Sequence, residues 1–199
     1  MRYYLIPARR NSKGLPFKNR KFFEHTAQII PPEVANQTIL ATDDEELLKQ
    51  GKELGWITVK RPPHNATDTS TPKEFMEFVA EELKLKSTDT IVLLYLTYPE
   101  RTWQEVQNIE KIFEQNSSNS LLCRQEVATH PYLCINQEGE FLLPHNLSRR
   151  QDYPEVWEIS HYVGIFKVGE IKNLSDNLYS SDTHYHLIPR VRNIDTPED

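Results

Sequence analysis

Four cations stand close together near the start of the chain: Arg9, Arg10, Lys13 and Lys18, within Ile6-Pro7-Ala8-Arg9-Arg10-Asn11-Ser12-Lys13-Gly14-Leu15-Pro16-Phe17-Lys18-Asn19. The run before them, Tyr3-Tyr4-Leu5-Ile6, is apolar and reads as a buried strand. A strand that opens into a cationic loop, stiffened by two prolines and free to turn closely at Gly14, suits a ligand with several negative charges. Fixed cations and backbone N–H groups at the C-terminal end of a strand are how α/β proteins hold phosphates. A solvated basic turn accounts for the same spacing equally well. Neither a Walker A loop nor a Gly-x-Gly-x-x-Gly fingerprint occurs.

The rest of the chain is acidic. Its 199 residues carry a net charge of -6, with 38% hydrophobic and 26% charged residues, the balance of one globular domain. A local basic cluster in an acidic protein points to a small anionic ligand, with no nucleic-acid partner. The two cysteines, Cys123 and Cys134, lack zinc spacing and are expected as reduced thiols. No signal-peptide pattern and no apolar run long enough to span a bilayer occurs, so the expectation is a cytoplasmic protein with no membrane partner.

The elements that must position the loop can be read in order. A short helix is expected around Phe22 to Ile30, ended by Pro31-Pro32. Thr38 to Thr42 reads as a strand, and Asp43-Asp44-Glu45-Glu46 open a helix through Leu54. Ile57-Thr58-Val59 is a third strand. A helix from Pro72 to Leu85 follows a Ser/Thr cap and a proline at its first position. Thr90 to Leu96 is the strongest strand, apolar throughout as in a central parallel strand. Thr102 caps a helix with Val106, Ile109, Ile112 and Phe113 on one face. This alternation predicts a doubly wound α/β domain with a mainly parallel sheet over residues 1–199. From Ser120 the pattern becomes β-rich, with short strand candidates at Leu121-Leu122, Tyr132 to Ile135 and Phe141 to Leu143. Tyr162 to Val168 returns to a strand, Gly169 to Leu178 is a short-helix candidate, and Ile188 to Ile194 is extended. Asp195-Thr196-Pro197-Glu198-Asp199 has the form of a helix start, so either a C-terminal helix continues beyond it or the chain ends on a degenerate cap.

The stretch Ala8 to Asn19 resembles the signature loop of the acylneuraminate cytidylyltransferases, the CMP-sialic acid synthetases. Further segments are similar in the family's order: Ala41-Thr42-Asp43-Asp44-Glu45, Arg61-Pro62 with Ala66-Thr67-Asp68-Thr69, Leu93 to Thr102, Arg150-Gln151 with Pro154, and Ile194-Asp195-Thr196. The resemblance implies the nucleotide-diphospho-sugar transferase fold with a β-rich dimerisation arm at residues 129–157, and hence a homodimer. It implies transfer of CMP from CTP to the anomeric hydroxyl of a nine-carbon 2-keto sugar acid, with release of pyrophosphate. Arg9, Lys13 and Lys18 would then hold the triphosphate as the catalytic set. Ser12, Gly14, Asn19, Ala66 and Asp68 would line the nucleotide side. Arg101, Arg150 and Gln151 would face the sugar acid or a pocket completed by the dimer. Asp195 and Asn193 would be ligands of Mg²⁺. The alternatives are a nucleotidyltransferase for another sugar acid, or a weakly active or inactive nucleotide- or sugar-binding member of the fold.

Three departures from the family's pattern stand in this chain. Asn193 replaces the first acid of Asp-Ile-Asp, which removes one negative charge from the expected metal site. Tyr95, Leu96 and Tyr98 replace most of the Gln-Pro-Thr-Ser run. Ser160-His161-Tyr162-Val163-Gly164 replaces a strand that lies near the sugar in the family. Several site residues also have plainer readings. Asp68 could cap a helix, Asp195 could favour a helix N-terminus, and Arg101 could pair with Glu105 one turn on. His161 reads as a core histidine, and His184 and His186 read as surface residues.

Overall fold

The computed structural model describes residues 1–11 and 14–196. Seven strands form one sheet: β1 (Arg2–Pro7), β2 (Thr38–Thr42), β3 (Ile57–Lys60), β4 (Thr90–Leu93), β5 (Ser120–Glu126), β6 (Trp157–Lys167) and β7 (Thr183–Leu187). Their order is β3-β2-β1-β4-β6-β5-β7. β6 runs antiparallel to both of its neighbours, β4 and β5, and every other pairing is parallel. Helices α1 (Lys18–Ile29), α2 (Glu45–Glu53), α3 (Pro72–Glu82) and α4 (Trp103–Gln115) supply the crossovers. The doubly wound, mainly parallel α/β sheet expected from the alternation is therefore present.

The pleat of β1 explains the layers. Tyr4 and Ile6 pack on one face with Phe23 of α1, Leu47 of α2 and Val106 and Ile109 of α4. Leu5 points the other way, toward Phe75, Met76 and Val79 of α3 and Ile171 and Leu174 beyond β6. A strand buried on both faces reads as a continuous apolar run, which is why β1 and β4 were legible.

Helix ends follow local chemistry. Thr71 and Thr102 each close a capping box, with Glu74 and Glu105 reaching back to the cap. At the end of α2, Gly55 adopts φ 74°, and the Trp56 N–H reaches the Gly51 carbonyl at 2.9 Å. Phe17, before α1, stands in the left-handed region at φ 53° with no side-chain cap, and Arg20 lies over its ring at 5.1 Å.

The structure differs from the sequence reading in several places; β6, for one, starts at Trp157 rather than Tyr162. Helix α1 begins at Lys18 rather than near Phe22, so the last cation of the basic loop opens the helix. β4 ends at Leu93; the Leu94 N–H still donates to the Leu5 carbonyl at 2.9 Å, and the chain then leaves the ladder. Residues 129–157 contain short 3₁₀ turns, Pro131–Leu133 and Arg150–Asp152, and one isolated bridge between Ile135 and Phe141 instead of strands. Val168–Asn173 is a 3₁₀ helix, ending well before Leu178. β7 was not anticipated, because Thr-His-Tyr-His-Leu has no apolar run; it is an edge strand beside β5, and His184 and His186 on it are half-buried rather than surface residues. Cys123 is buried and Cys134 half-buried, both as free thiols, and burial pushes the Cys123 thiol up to about 12.

Candidate active site

In open α/β sheets ligands bind beyond the carboxyl ends of the strands where the strand order reverses. Here β1 lies between β2 and β4, so the crossovers leave it in opposite directions. A cleft of about 320 Å³ opens at that point. Pro7 and Arg9 line it from the end of β1, Arg61 from the end of β3, and Tyr95, Thr97 and Tyr98 from the end of β4. Lys18 and Asn19 enter from the first turn of α1, Thr67, Asp68 and Ser70 from the loop before α3, and Asn193 and Asp195 from the C-terminal segment.

The basic loop is held by the end of β2. The Thr42 hydroxyl donates to the Ala8 carbonyl. Asp43 accepts the Arg10 N–H at 2.6 Å. Asp44, whose side chain is fully buried, caps α2 and receives Arg20 of α1 through two N–H groups at 2.6 and 2.8 Å. Burial works against charge on Asp44, but Arg20 and the N–H groups of Glu46 and Leu47 outweigh it and hold the carboxyl below its usual range. Asn19 donates to the Arg9 carbonyl at 2.7 Å and fixes the loop from the helix side. Asn19, Thr42 and Asp43 thus fix the backbone of Ala8, Arg9 and Arg10 beside the cleft.

Two ion pairs set its charge. The Arg9 Nη1 lies 2.6 Å from Asp68 and 3.0 Å from the Thr67 carbonyl. The Lys18 Nζ lies 2.6 Å from Asp195 Oδ1, and the Asn193 amide donates to Asp195 Oδ2 at 2.7 Å. Gly14 is where the loop meets the C-terminal segment: a Cβ there would stand 2.5 Å from the Asp195 carbonyl. The Ile194 N–H bonds the Thr97 carbonyl at 2.9 Å and ties that segment to the end of β4.

The structure therefore brings Arg9, Lys18, Asn19, Asp68, Asn193 and Asp195 to one cleft, with Gly14 against its rim. Asp68 pairs with Arg9, and the cap of α3 is Thr71. Ala66 follows the 3₁₀ turn Pro63–Asn65, next to the cleft-lining Thr67. Ser12 and Lys13 lie outside the described residues, as do residues 197–199 of the expected helix start. Arg150 and Gln151 are exposed on the segment 129–157, away from the cleft lining.

Arg101 does not reach the cleft; it is only 1% exposed. Its Nη1 donates to the Tyr162 carbonyl at 2.7 Å and its Nη2 to the Tyr95 carbonyl at 2.9 Å. The register of β5 against β6 explains why it is there. Leu122 pairs with Gly164 and Cys123 with Ser160, so His161, Tyr162 and Val163 stand outside the ladder. Arg101 satisfies one carbonyl of that bulge, and the Cys123 thiol approaches another, that of Val163, at 3.3 Å. Burial pushes the Arg101 guanidinium down to about 10, so it stays charged at neutral pH. Glu105 takes Thr102 and the Tyr162 hydroxyl at 2.7 Å rather than a direct bond from Arg101.

The chain as a whole is similar to known proteins. No protein-family model matches the chain. It is 29% identical over 147 residues to an N-acylneuraminate cytidylyltransferase of Streptococcus agalactiae serotype V, covering 68% of this chain and 35% of that protein. Another N-acylneuraminate cytidylyltransferase, of S. agalactiae serotype III, is 29% identical over 139 residues, or 65% of this chain and 33% of its own length. The chain is a divergent relative of the acylneuraminate cytidylyltransferases. It spans about a third of the length of the curated relatives it matches. Among solved structures, a CMP:2-keto-3-deoxy-manno-octonic acid synthetase complexed with CTP superposes with a TM-score of 0.69 at 13% identity, over 99% of this chain and 94% of that one. A 4-diphosphocytidyl-2C-methyl-D-erythritol synthase follows at 0.61 and 14%, over 100% and 94%. A cytidylyltransferase of Leptospira borgpetersenii gives 0.57 and 15%, over 100% and 82%. These likenesses establish the nucleotide-diphospho-sugar transferase type of fold.

Arg61 and His161 are polar cleft residues outside the set of site residues expected from the likeness to the cytidylyltransferases. Arg61 is 5% exposed, donates to Asn65 through Nε at 3.3 Å and through Nη2 to its carbonyl, and lies 5.2 Å from the Phe75 ring centroid. Its burial lowers its pKa, more than the charge of Asp43 raises it. The Arg-Pro pair preceding the Ala-Thr-Asp-Thr loop was the available signal. His161 lines the cleft instead of the core, with its ring edge-on to Tyr95 at 5.9 Å, and burial lowers its pKa. Only the bulge in β6 accounts for that placement, and a bulge of this kind leaves no mark in residue order.

Proposed function

We propose that the protein is a cytidylyltransferase that transfers CMP from CTP to the anomeric hydroxyl of a nine-carbon 2-keto sugar acid, releasing pyrophosphate. The observation that carries this reading is the convergence of Arg9, Lys18 and Asp195 in one cleft at the switch point of the sheet. The acceptor hydroxyl oxygen attacks the α-phosphorus, the bond to the β-phosphate oxygen breaks, and the electron pair leaves on pyrophosphate. Such a displacement needs alignment and charge stabilisation more than covalent help. Among the described residues Arg9 bonds Asp68 and Thr67 through Nη1, and its other N–H groups would serve phosphate oxygens. Lys18 neutralises charge on the departing pyrophosphate, and Lys13 joins it from the same loop. Buried Arg61 and the Thr67 to Ser70 turn form the nucleoside side, while Tyr95, Tyr98 and His161 wall the acceptor side.

Asp195 and Asn193 offer a carboxylate and an amide oxygen, hard donors that suit Mg²⁺. No group of three His, Cys, Asp or Glu side chains able to hold a metal occurs among the described residues, so the donor set fits an ion whose coordination is completed by phosphate and water. Such an ion would supply Lewis-acid stabilisation of the phosphate oxygens.

The segment 129–157 carries Ile135, Phe141, Leu142, Leu143 and Leu147, each 40–59% exposed. We read it as the arm of a homodimer, which would bring Arg150 and Gln151 to the neighbouring cleft. A cytoplasmic location belongs to the same reading; among the described residues no helix is long and apolar enough to cross a membrane.

The test is pyrophosphate release with each of the four NTPs, with and without Mg²⁺, against a panel of nonulosonic and octulosonic acids. Turnover with CTP and one acid supports the reading and names the acceptor. Absence of turnover across the panel, with CTP still raising the melting temperature, would favour the second reading, a nucleotide-binding member with little activity. Asn193 is the observation behind that second reading, since it replaces a metal carboxylate.

A further inference from the structure

Lys18 has two claims on it in the same cleft. It is the cation that the triphosphate requires, yet its Nζ sits 2.6 Å from Asp195 Oδ1 with only 13% of the side chain exposed. The second oxygen of Asp195 is taken by the Asn193 amide at 2.7 Å. The Asp195 backbone is held in place, while its side chain is 57% exposed. Its carbonyl abuts Gly14 of the loop, and the neighbouring Ile194 is bonded to Thr97. A divalent cation arriving alone therefore meets an ammonium already bonded to the one carboxylate of the pair, without the second negative charge that an acid at position 193 would supply.

We infer that Lys18 exchanges partners, bonding Asp195 in the nucleotide-free protein and turning to phosphate when a triphosphate enters, so that the Asp195 carboxylate is opened to a divalent cation only as nucleotide binds. This rests on the proposed nucleotide site and adds the order in which its parts assemble. Because the coupling is reciprocal, a cation at Asp195 also releases Lys18 and tightens nucleotide. Lys18 is then more than a phosphate contact: in the nucleotide-free protein it opposes cation binding.

The distinguishing result is one of opposite sign. Mn²⁺, as a paramagnetic stand-in for Mg²⁺, is titrated into nucleotide-free protein and its free concentration read by electron paramagnetic resonance, with no turnover involved. Lys18→Met should bind Mn²⁺ about tenfold more tightly than wild type, the scale expected for removing one partly screened neighbouring charge. The same variant should lose most of the stabilisation that CTP gives. Asn193→Asp, which keeps Lys18, should also tighten Mn²⁺ by adding a carboxylate, and it serves if Lys18→Met does not fold. Mn²⁺ affinity unchanged or weakened in Lys18→Met overturns the exchange. If that variant does not fold, unchanged affinity in Asn193→Asp overturns it. So does failure of all three proteins to bind Mn²⁺. A separate arm measures the CTP thermal shift of the wild type. Its absence would overturn the nucleotide reading itself, while the Mn²⁺ comparison would still decide whether Lys18 blocks Asp195.

Discussion

Arg101 and Lys18 show how differently two cations of one motif-rich chain can be used. Both looked like ligand contacts in the sequence. Lys18 stands in the cleft, whereas Arg101 is buried with its guanidinium between the Tyr95 and Tyr162 carbonyls. Among the described residues its Nε has no hydrogen-bond partner, so the two carbonyls are its bonds there. Replacing it leaves both carbonyls buried without donors and opens a void, so Arg101→Ala should destabilise the fold by about 3 kcal/mol or more. Urea unfolding measures this. A loss within about 0.5 kcal/mol, the range of ordinary surface changes, would mean that the bulge does not depend on Arg101. The sequence placed Arg101 in a family motif but gave no sign of the β6 bulge that needs it.

At the scale of elements, the join between β2, α1 and α2 controls the basic loop, and its chemistry is pH-dependent. The carboxyls of Asp44, Asp89 and Glu105 are all held below their usual range. Arg20 and two backbone N–H groups do this for Asp44 against its burial. The N-terminal ammonium does it for Asp89, and Thr102 and Tyr162 do it for Glu105 against its burial. A group whose folded pKa lies below its unfolded value contributes stability above the unfolded value and loses it as pH falls through the folded one. Glu110, raised by burial beside Arg2 and Tyr4, works in the opposite direction. Stability should therefore fall as pH drops from about 5 toward 2. Asp44→Asn, which keeps a capping side chain, should melt at lower urea than wild type at neutral pH. The gap should close at acid pH, where Asp44 itself is protonated. A gap of constant size across the titration would remove the Arg20–Asp44 charge pair from the explanation. The strand end Thr42-Asp43-Asp44 was visible as a motif; that it holds the loop from below became clear only from the bonds to Ala8, Arg10 and Arg20.

For the whole molecule, the proposed dimer role of the segment 129–157 is the reading that self-association tests directly. Within it Tyr132 stacks on His145 at 4.4 Å and Tyr153 packs on both His130 and His145. The segment thus has a small aromatic core of its own, while its aliphatic residues face outward. If it is a dimer arm, Leu142→Glu places a charge on the most exposed of those aliphatics and should weaken self-association by at least about tenfold, read by sedimentation. Monomeric wild-type protein at all concentrations would end the arm reading. Unchanged association in the variant would move the interface elsewhere.

Residue order by itself determined the alternation of apolar strands and capped helices, because burial on both faces and capping boxes are local requirements. It also placed Lys18, Asn19, Asp68 and Asp195 in recognisable motifs. The tertiary structure alone decided that Lys18 meets Asp195, 177 residues further along, that Arg101 belongs to the interior, and that His161 faces the cleft. Those outcomes depend on strand order and on the bulge between β5 and β6, which are set by packing between segments distant in sequence and have no local signature.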